Sequence, residues 1–237
     1  MKLNVFRTTI KDGNFTKEKK YYPNLSTKEI DLLYETNINK LLEKTGLDIK
    51  NYVVLSPQNK ELKSRTITET TKKIKEQILV LKGKTPNVAV LVETTDDPVI
   101  IASAKNTCAI AIGTIENINN NILHEMLETL IKETDAAPFE MTFYITSCPS
   151  KDNYQLDSLE KLTDTYIWKD TYIKKRKKYY LDIRYAIYNQ LLYEIVDPHY
   201  IYFDSKDTTE NKNYYSYIAE RPGINLTCVV YTNEEEV

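Results

Sequence analysis

The sequence predicts an α/β fold: a single domain over residues 1–237 in which a mixed β-sheet is flanked by helices. Short apolar runs rich in Val, Ile and Ala recur along the whole chain, as buried strands do. Three such runs follow one another closely after position 87, and a segment with the apolar period of a helix, about 3.6 residues, comes directly after them. No linker and no internal repeat divides the chain, which favours one domain.

The predicted elements follow one another at short intervals. Ser26 and Glu29 form a capping box that begins a helix over 27–45, and Gly46 suits its end. Two more helices are predicted over 118–132 and 180–192, the second of which ends before Pro198. Strands are predicted where apolar runs are bounded by turn residues, at 3–9, 52–55, 78–81, 88–92, 99–102, 108–112, 141–145, 200–203 and 226–231.

Composition excludes several classes of protein. A hydrophobic content of 41% suffices for a core, and a net charge of −2 gives no general attraction to nucleic acid or membranes. No apolar run approaches the roughly 20 residues of a membrane span, and the first residues carry no secretory signal. Three widely spaced cysteines, Cys108, Cys148 and Cys228, argue against a disulfide framework. We therefore expect a cytoplasmic protein with buried structural thiols.

Several motifs carry a resemblance to a known family. Thr94, Asp96 and Gly113 are spaced as in a T-A-D-C motif followed by A-H-A-G-W-R-G at the start of a helix. Residues 180–192 are similar to the L-D-L-x-x-A-x-x-x-Q-L-L helix of the same family, and 213–217 to its F-F-S-Y-R motif. The chain resembles the polyphenol oxidase, or laccase-domain (YfiH-type), family. That resemblance implies its α/β fold and an ancestry among purine nucleoside phosphorylases with adenosine deaminase activity.

In that family one cysteine and two histidines hold a zinc ion beside a nucleoside pocket. The resemblance places the first histidine on Asn59, the cysteine on Asp97, the second histidine on Ala111 and one arginine on Ile115. Alanine donates nothing to a metal, and an amide with one carboxylate is a weak set for zinc. The resemblance thus implies a vestigial pocket at Asn59, Asp96, Asp97, Ala111, Gly113, Ile115, Cys148 and Tyr217.

A non-catalytic binding or partner subunit is therefore the leading prediction, with no metal or other cofactor and no catalytic residue. Its partner would be a nucleoside-like small molecule or another protein. The alternative is a zinc-dependent purine nucleoside phosphorylase or adenosine deaminase-like enzyme with a rebuilt site that uses Asp96, Asp97 and Cys148. An interaction protein that uses its 19 tyrosines is a third hypothesis.

Three remaining features are predicted to be ordinary surface. Glu93, Asp96 and Asp97 could hold Mg²⁺ or Ca²⁺ through carboxylate oxygens, but a solvated acidic turn is the favoured interpretation. The basic run Lys174–Lys178 is predicted to be a solvated loop rather than an RNA contact, because no aromatic interleaving is recognised. His124 is expected on the polar face of its helix. Neither nucleic acid nor a membrane is expected as a partner.

Overall fold

The computed structural model describes residues 2–55, 62–68, 71, 74–85, 87–163 and 166–232. Its α-helices are α1 (Thr27–Thr45), α2 (Ile115–Asn119), α3 (Ile122–Thr134) and α4 (Ile183–Tyr193). Its strands are β1 (Lys2–Arg7), β2 (Asn51–Leu55), β3 (Ser64–Thr66), β4 (Ile78–Lys82), β5 (Val88–Thr94), β6 (Val99–Ala104), β7 (Thr107–Ile112), β8 (Thr142–Ile145), β9 (Gln155–Leu156), β10 (Tyr172–Lys175), β11 (Lys178–Leu181), β12 (Ile201–Phe203) and β13 (Asn225–Thr232).

The strands form two large sheets and one small one. The first sheet has the order β1-β13-β5-β2 and is antiparallel except where β2 runs parallel to β5. The second has the order β12-β8-β6-β7-β4-β3, with a parallel pair at each edge. The order of the small sheet is β10-β11-β9. The predicted mixed α/β architecture is confirmed, with the strands divided between sheets.

The two large sheets pack face to face between layers of helices. Val90, Ile101 and Ile110 belong to an apolar cluster shared by β5, β6 and β7, which lies between the sheets. Leu91, which points to the opposite face of β5, packs in the cluster under α1. Ile100 on β6 packs in the cluster under α3 and α4. The central strands are buried on both faces, which explains why they appear in the sequence as continuous apolar runs.

Two predicted helices have different boundaries in the structure. The prediction of one helix over 118–132 is wrong, because Asn121 adopts a left-handed conformation (φ 60°) that separates α2 from α3. The prediction of a helix from position 180 is also wrong at its start. Asp182 caps α4 by accepting a 3.0 Å hydrogen bond from the Tyr185 backbone N–H, and the residues before it belong to β11. The helix over 27–45 is confirmed, including its Ser26 capping box.

The basic run Lys174–Lys178 lies on a β-hairpin, so the prediction of a loop is wrong. Its turn contains Arg176 in a left-handed conformation (φ 58°) between β10 and β11. All three cysteines are buried and free, as predicted. Among the described residues, no helix has the length and apolar character needed to cross a bilayer.

Candidate functional site

The candidate site lies where the turn after β5 meets the start of α2. The Gly113 N–H donates a 2.8 Å hydrogen bond to the Pro98 carbonyl oxygen, which holds the two segments side by side. A Cβ atom added at Gly113 would lie 3.0 Å from Ile100 Cδ1 and 3.1 Å from Pro98 Cγ. Glycine thus allows this close approach. The structure therefore brings the Asp96–Asp97 turn next to Gly113, the arrangement implied by the resemblance.

A surface cavity of about 480 Å³ opens at the start of α2. Thr114 caps this helix, because its Oγ1 accepts a 3.0 Å hydrogen bond from the Asn117 backbone N–H. Burial raises the pKa of Tyr154, and the negative charge of Asp97 contributes further to this increase. The hydroxyl of Tyr154 is thus within electrostatic reach of Asp97. The cavity is lined by Thr114, Ile115, Glu116, Asn119, Tyr154 and Lys161.

Asp97 is partly buried, and its charge acts on Tyr154 in the wall of this cavity. Burial, together with the neighbouring charge of Asp96, raises the pKa of Asp97 to about 6. No hydrogen bond to its carboxylate is formed within the described part of the chain. A carboxyl group with a pKa raised towards neutrality is a candidate for ligand binding or acid–base chemistry.

Asp96, its neighbour, has a structural role instead. Its carboxylate accepts hydrogen bonds from Thr208 Oγ1 (2.8 Å) and from the backbone N–H groups of Tyr217 (2.8 Å) and Ile218 (3.3 Å). Tyr217 is 48% exposed, and its backbone N–H rather than its ring contacts Asp96. Asp96 thus fastens the 208–218 segment to the turn after β5.

The remaining pocket positions hold apolar side chains or a thiol that is not ionised. Ala111, Cys148 and the partly buried Ile115 belong to the cluster under α3 and α4, which Tyr154 also contacts. Burial raises the pKa of the Cys148 thiol to about 11, and its Sγ accepts a 3.4 Å hydrogen bond from Arg184 Nε. The free thiol is therefore neutral at physiological pH. Asn59 lies outside the described residues.

These residues do not fit a zinc ion. Ala111 supplies no donor atom, and Asp97 supplies a single carboxylate to a metal that ordinarily takes at least three protein ligands. The Mg²⁺ or Ca²⁺ alternative finds no support among the described residues either, because Glu93 turns away from the other two carboxylates. Glu93 accepts a hydrogen bond from the Tyr34 hydroxyl on the α1 side of the sheet, away from the contacts of Asp96. Among the described residues, no three His, Cys, Asp or Glu side chains come together to hold a metal.

Neither histidine adds to the site. His124 is exposed, as predicted, and its Nδ1 lies 3.1 Å from the Glu194 carboxylate, while His199 contacts Asp197 at 2.9 Å. Sequence reasoning did not single out Thr208 or Lys161 as members of the site. No sequence signal connects Thr208 with Asp96, because 112 positions separate them. Tyr154 was detectable only as part of a loose match after Cys148.

Comparison with known proteins places the chain in a family. Solved structures with a similar fold include the hypothetical protein YfiH of Bacillus licheniformis (TM-score 0.74, 14% identity, 85% of this chain and 82% of that one). YlmD from Geobacillus stearothermophilus gives a TM-score of 0.72 at 15% identity, covering 85% and 81%. Neisseria meningitidis protein NMB0706 gives 0.71 at 14% identity, covering 98% and 95%. At these identities the likeness shows the fold alone.

No curated protein matches the sequence significantly. The sequence profile of one family matches residues 8–232, which is nearly the whole chain. The match includes every residue of the candidate site, from the turn after β5 to Tyr217. The chain therefore belongs to the family described as multi-copper polyphenol oxidoreductase laccase, in which the YfiH-type fold is found.

Proposed function

We propose that this chain is a non-catalytic binding or partner subunit that keeps the laccase-domain fold without its metal chemistry. One observation carries the proposal. Ala111 and Ile115, which stand where the family has a ligand histidine and an arginine, pack in one apolar cluster and offer no polar atom to a ligand. Asp97 is left with a carboxylate that no described residue engages. With these residues the site can accept a hydrogen bond at the Asp97 carboxylate. It lacks a set of metal ligands and a guanidinium group that could bind phosphate.

Copper fits these residues no better than zinc. Copper sites in proteins favour imidazole and thiolate ligands. Both histidines of the chain are exposed and lie against carboxylates, and the pocket cysteine is buried against the Arg184 guanidinium. These side chains thus support a role that does not use copper, although the family is described as multi-copper. Three buried, unpaired cysteines support a reducing compartment, and we propose the cytoplasm.

The proposed ligand is a nucleoside-like small molecule or a protein segment that enters the cavity at Thr114–Tyr154. A cavity of about 480 Å³ is large enough for a nucleoside. Asp97, with a pKa near 6, is mostly charged at neutral pH and would accept a hydrogen bond from an N–H or O–H group. Lys161 supplies a cation at the rim of the cavity.

The same Asp97 favours a second candidate. A raised carboxyl pKa beside a tyrosine and a cavity is typical of acid–base sites. The alternative is thus a purine nucleoside phosphorylase or adenosine deaminase-like enzyme with a rebuilt zinc site. It would require metal ligands from positions other than Ala111.

Elemental analysis tests these candidates directly. The protein is purified without a histidine tag, dialysed against trace zinc and copper, and assayed for phosphate-dependent cleavage and deamination of adenosine and inosine. We expect neither a stoichiometric metal nor turnover. One zinc per chain, together with turnover that Asp97→Ala abolishes, would establish the enzyme instead.

Calorimetry with adenosine then tests the binding role. If the cavity binds nucleosides, Ile115→Trp fills it and prevents binding. The matched control Leu32→Trp places the same indole on α1, where Leu32 is 70% exposed, and keeps binding. An adenosine isotherm that Ile115→Trp leaves unchanged would exclude this cavity. If adenosine does not bind, capture of a partner by the wild type but not by Ile115→Trp would identify a protein ligand.

A further inference from the structure

The hairpin of β10 and β11 carries an exposed concentration of positive charge. All five residues of Lys174–Lys178 are exposed, although the chain as a whole has a net charge of −2. Two of them are neutralised, because Lys175 pairs with Asp152 at 3.0 Å and Lys178 pairs with Asp157. Three have no acidic partner among the described residues: Lys174, Arg176 and Lys177.

The rings of Tyr172 and Tyr179 lie with Lys174 on one face of the hairpin, and Arg176 and Lys177 form its turn. Tyr172 and Lys174 are two positions apart on β10 and therefore share a face. The strand register places Tyr179 directly opposite Lys174, whose Nζ lies 5.2 Å from the ring centroid of Tyr179. The rings of Tyr172 and Tyr179 meet edge to face, with their centroids 6.1 Å apart. The hairpin thus places two aromatic rings beside a cation, an arrangement that is not visible in the linear sequence.

Tyr172 also lines two adjoining surface cavities. The larger, about 600 Å³, includes Tyr166 and Lys169, and the smaller, about 260 Å³, includes Tyr185. Tyr172 is 38% exposed and forms part of the wall of both cavities. Asp170 lines both cavities as well. A carboxylate there disfavours a phosphate and favours the N–H groups on the edge of a base.

We propose that this face of the hairpin binds single-stranded nucleic acid. The phosphates would contact Lys174, Arg176 and Lys177, and a base would stack on Tyr172 at the mouth of the two cavities. Single-strand binding surfaces combine a cationic track with exposed aromatic rings in this way. An acidic peptide would use the cations alone and would leave the exposed ring of Tyr172 without a function. The rings therefore favour a polynucleotide. This surface is independent of the Asp97 cavity and of its proposed ligand.

Fluorescence anisotropy of a labelled oligouridylate of about twelve nucleotides tests the proposal on the full chain. We expect saturable binding that weakens about 20-fold between about 50 and 200 mM KCl, the loss expected for three phosphate contacts. A parallel titration with oligothymidylate distinguishes RNA from DNA, and binding of either supports the proposal. A failure to bind both would overturn it.

Matched variants separate this site from general electrostatic attraction. The triple change Lys174→Ala, Arg176→Ala and Lys177→Ala should abolish binding. The control triple Lys28→Ala, Lys40→Ala and Lys84→Ala removes the same charge elsewhere and should leave binding intact. Equal losses in the two triple variants would overturn the proposal. Circular dichroism and thermal melting establish that each variant is folded.

The ring is tested with Tyr172→Leu and Tyr172→Phe. Loss of base stacking should weaken binding at least about fivefold in Tyr172→Leu, whereas Tyr172→Phe keeps the ring and most of the affinity. If Tyr172→Leu binds like the wild type and a polyglutamate peptide of equal length binds as well as the oligonucleotide, the surface recognises anions generally. The proposed nucleic-acid site would then be wrong.

Discussion

The Asp96 carboxylate accepts a 2.8 Å hydrogen bond from the Tyr217 backbone N–H, which lies 121 positions farther along the chain. The same carboxylate accepts a 2.8 Å bond from the buried Thr208 hydroxyl. Asp97, the next residue, has no such partner among the described residues. Adjacent side chains in one turn thus differ, because Asp96 anchors a distant segment and the Asp97 carboxylate is engaged by none of the described residues.

Asp96→Ala should lower the free energy of unfolding by about 1–3 kcal/mol, because three hydrogen bonds to a charged acceptor are lost. Part of this loss is offset because Tyr217 and Ile218 are exposed, so water can accept hydrogen bonds from their backbone N–H groups. Urea denaturation at neutral pH measures the change. Asp96→Asn keeps an oxygen acceptor and should lose less. A variant Asp96→Ala as stable as the wild type would show that the 208–218 segment does not depend on this anchor.

Asp97→Asn should make the protein more stable at neutral pH. The folded pKa of Asp97 is about 6, above its ordinary value of 3.8, so the folded chain retains a proton that the unfolded chain has lost. Stability therefore falls as pH rises through this window and stays lowered above it. The asparagine variant lacks this loss and should exceed the wild type by about 1–3 kcal/mol at pH 7.

Urea titrations of the wild type and Asp97→Asn at pH 4, 7 and 8 check this prediction. The difference in the free energy of unfolding between the two proteins should be small at pH 4, increase up to about pH 6 and remain constant above it. Carboxylates elsewhere titrate equally in both proteins, so their contribution cancels. A difference that does not vary with pH would contradict the raised pKa.

Local signals in the sequence predicted more of the fold than of the site. The bounds of α1 follow from the Ser26 capping box and Gly46, which act within a single turn of helix. The central strands follow from burial on both faces. The sheet to which each strand belongs was not predictable, because β13 pairs with β1 through partners such as Lys2 and Thr232 at opposite ends of the chain. The pairing depends on long-range packing rather than on local propensity.

The same limit applies to the site and to the basic hairpin. The resemblance identified Asp96 and Asp97 but could not distinguish their roles, since the difference depends on Thr208 and on burial. Tyr180 and Leu181, the last two residues of β11, were assigned to a helix because the motif that resembles the family helix begins at position 180. Their pairing with β10 and β9, which no local pattern signals, makes these residues a strand.

His124→Gln should lower stability at acid pH and leave it unchanged at alkaline pH. A hydrogen bond to Glu194 raises the pKa of His124, so the folded state favours the charged imidazole. The resulting stabilisation is fully present below the ordinary pKa of about 6.5 and is lost as pH rises through the folded pKa. Because His124 is 47% exposed, the effect should stay below about 1 kcal/mol. Denaturation at pH 5.5 and 8.5 measures it, and equal losses at both values would contradict the ion pair.

The three cysteines should be inert towards thiol reagents until the protein unfolds. Burial raises the pKa of Cys108 to about 12, that of Cys148 to about 11 and that of Cys228 to about 12, so little thiolate exists at pH 8. The reactive species is the thiolate, and none of the three thiols is exposed to solvent.

A disulfide reagent that releases a coloured thiol gives the measurement. The native protein should react only at its rate of unfolding, and all three cysteines should react at once in denaturant. The variants Cys108→Ala, Cys148→Ala and Cys228→Ala should each release one equivalent less in denaturant. If a thiol of the native protein reacts early, the variant that lacks this early phase identifies it. Cys148 belongs to the apolar cluster against which Ile115 and Tyr154 of the cavity wall pack, so fast native reaction at this residue alone would mean that the cavity opens to it. The sulfur would then have to be considered part of the site.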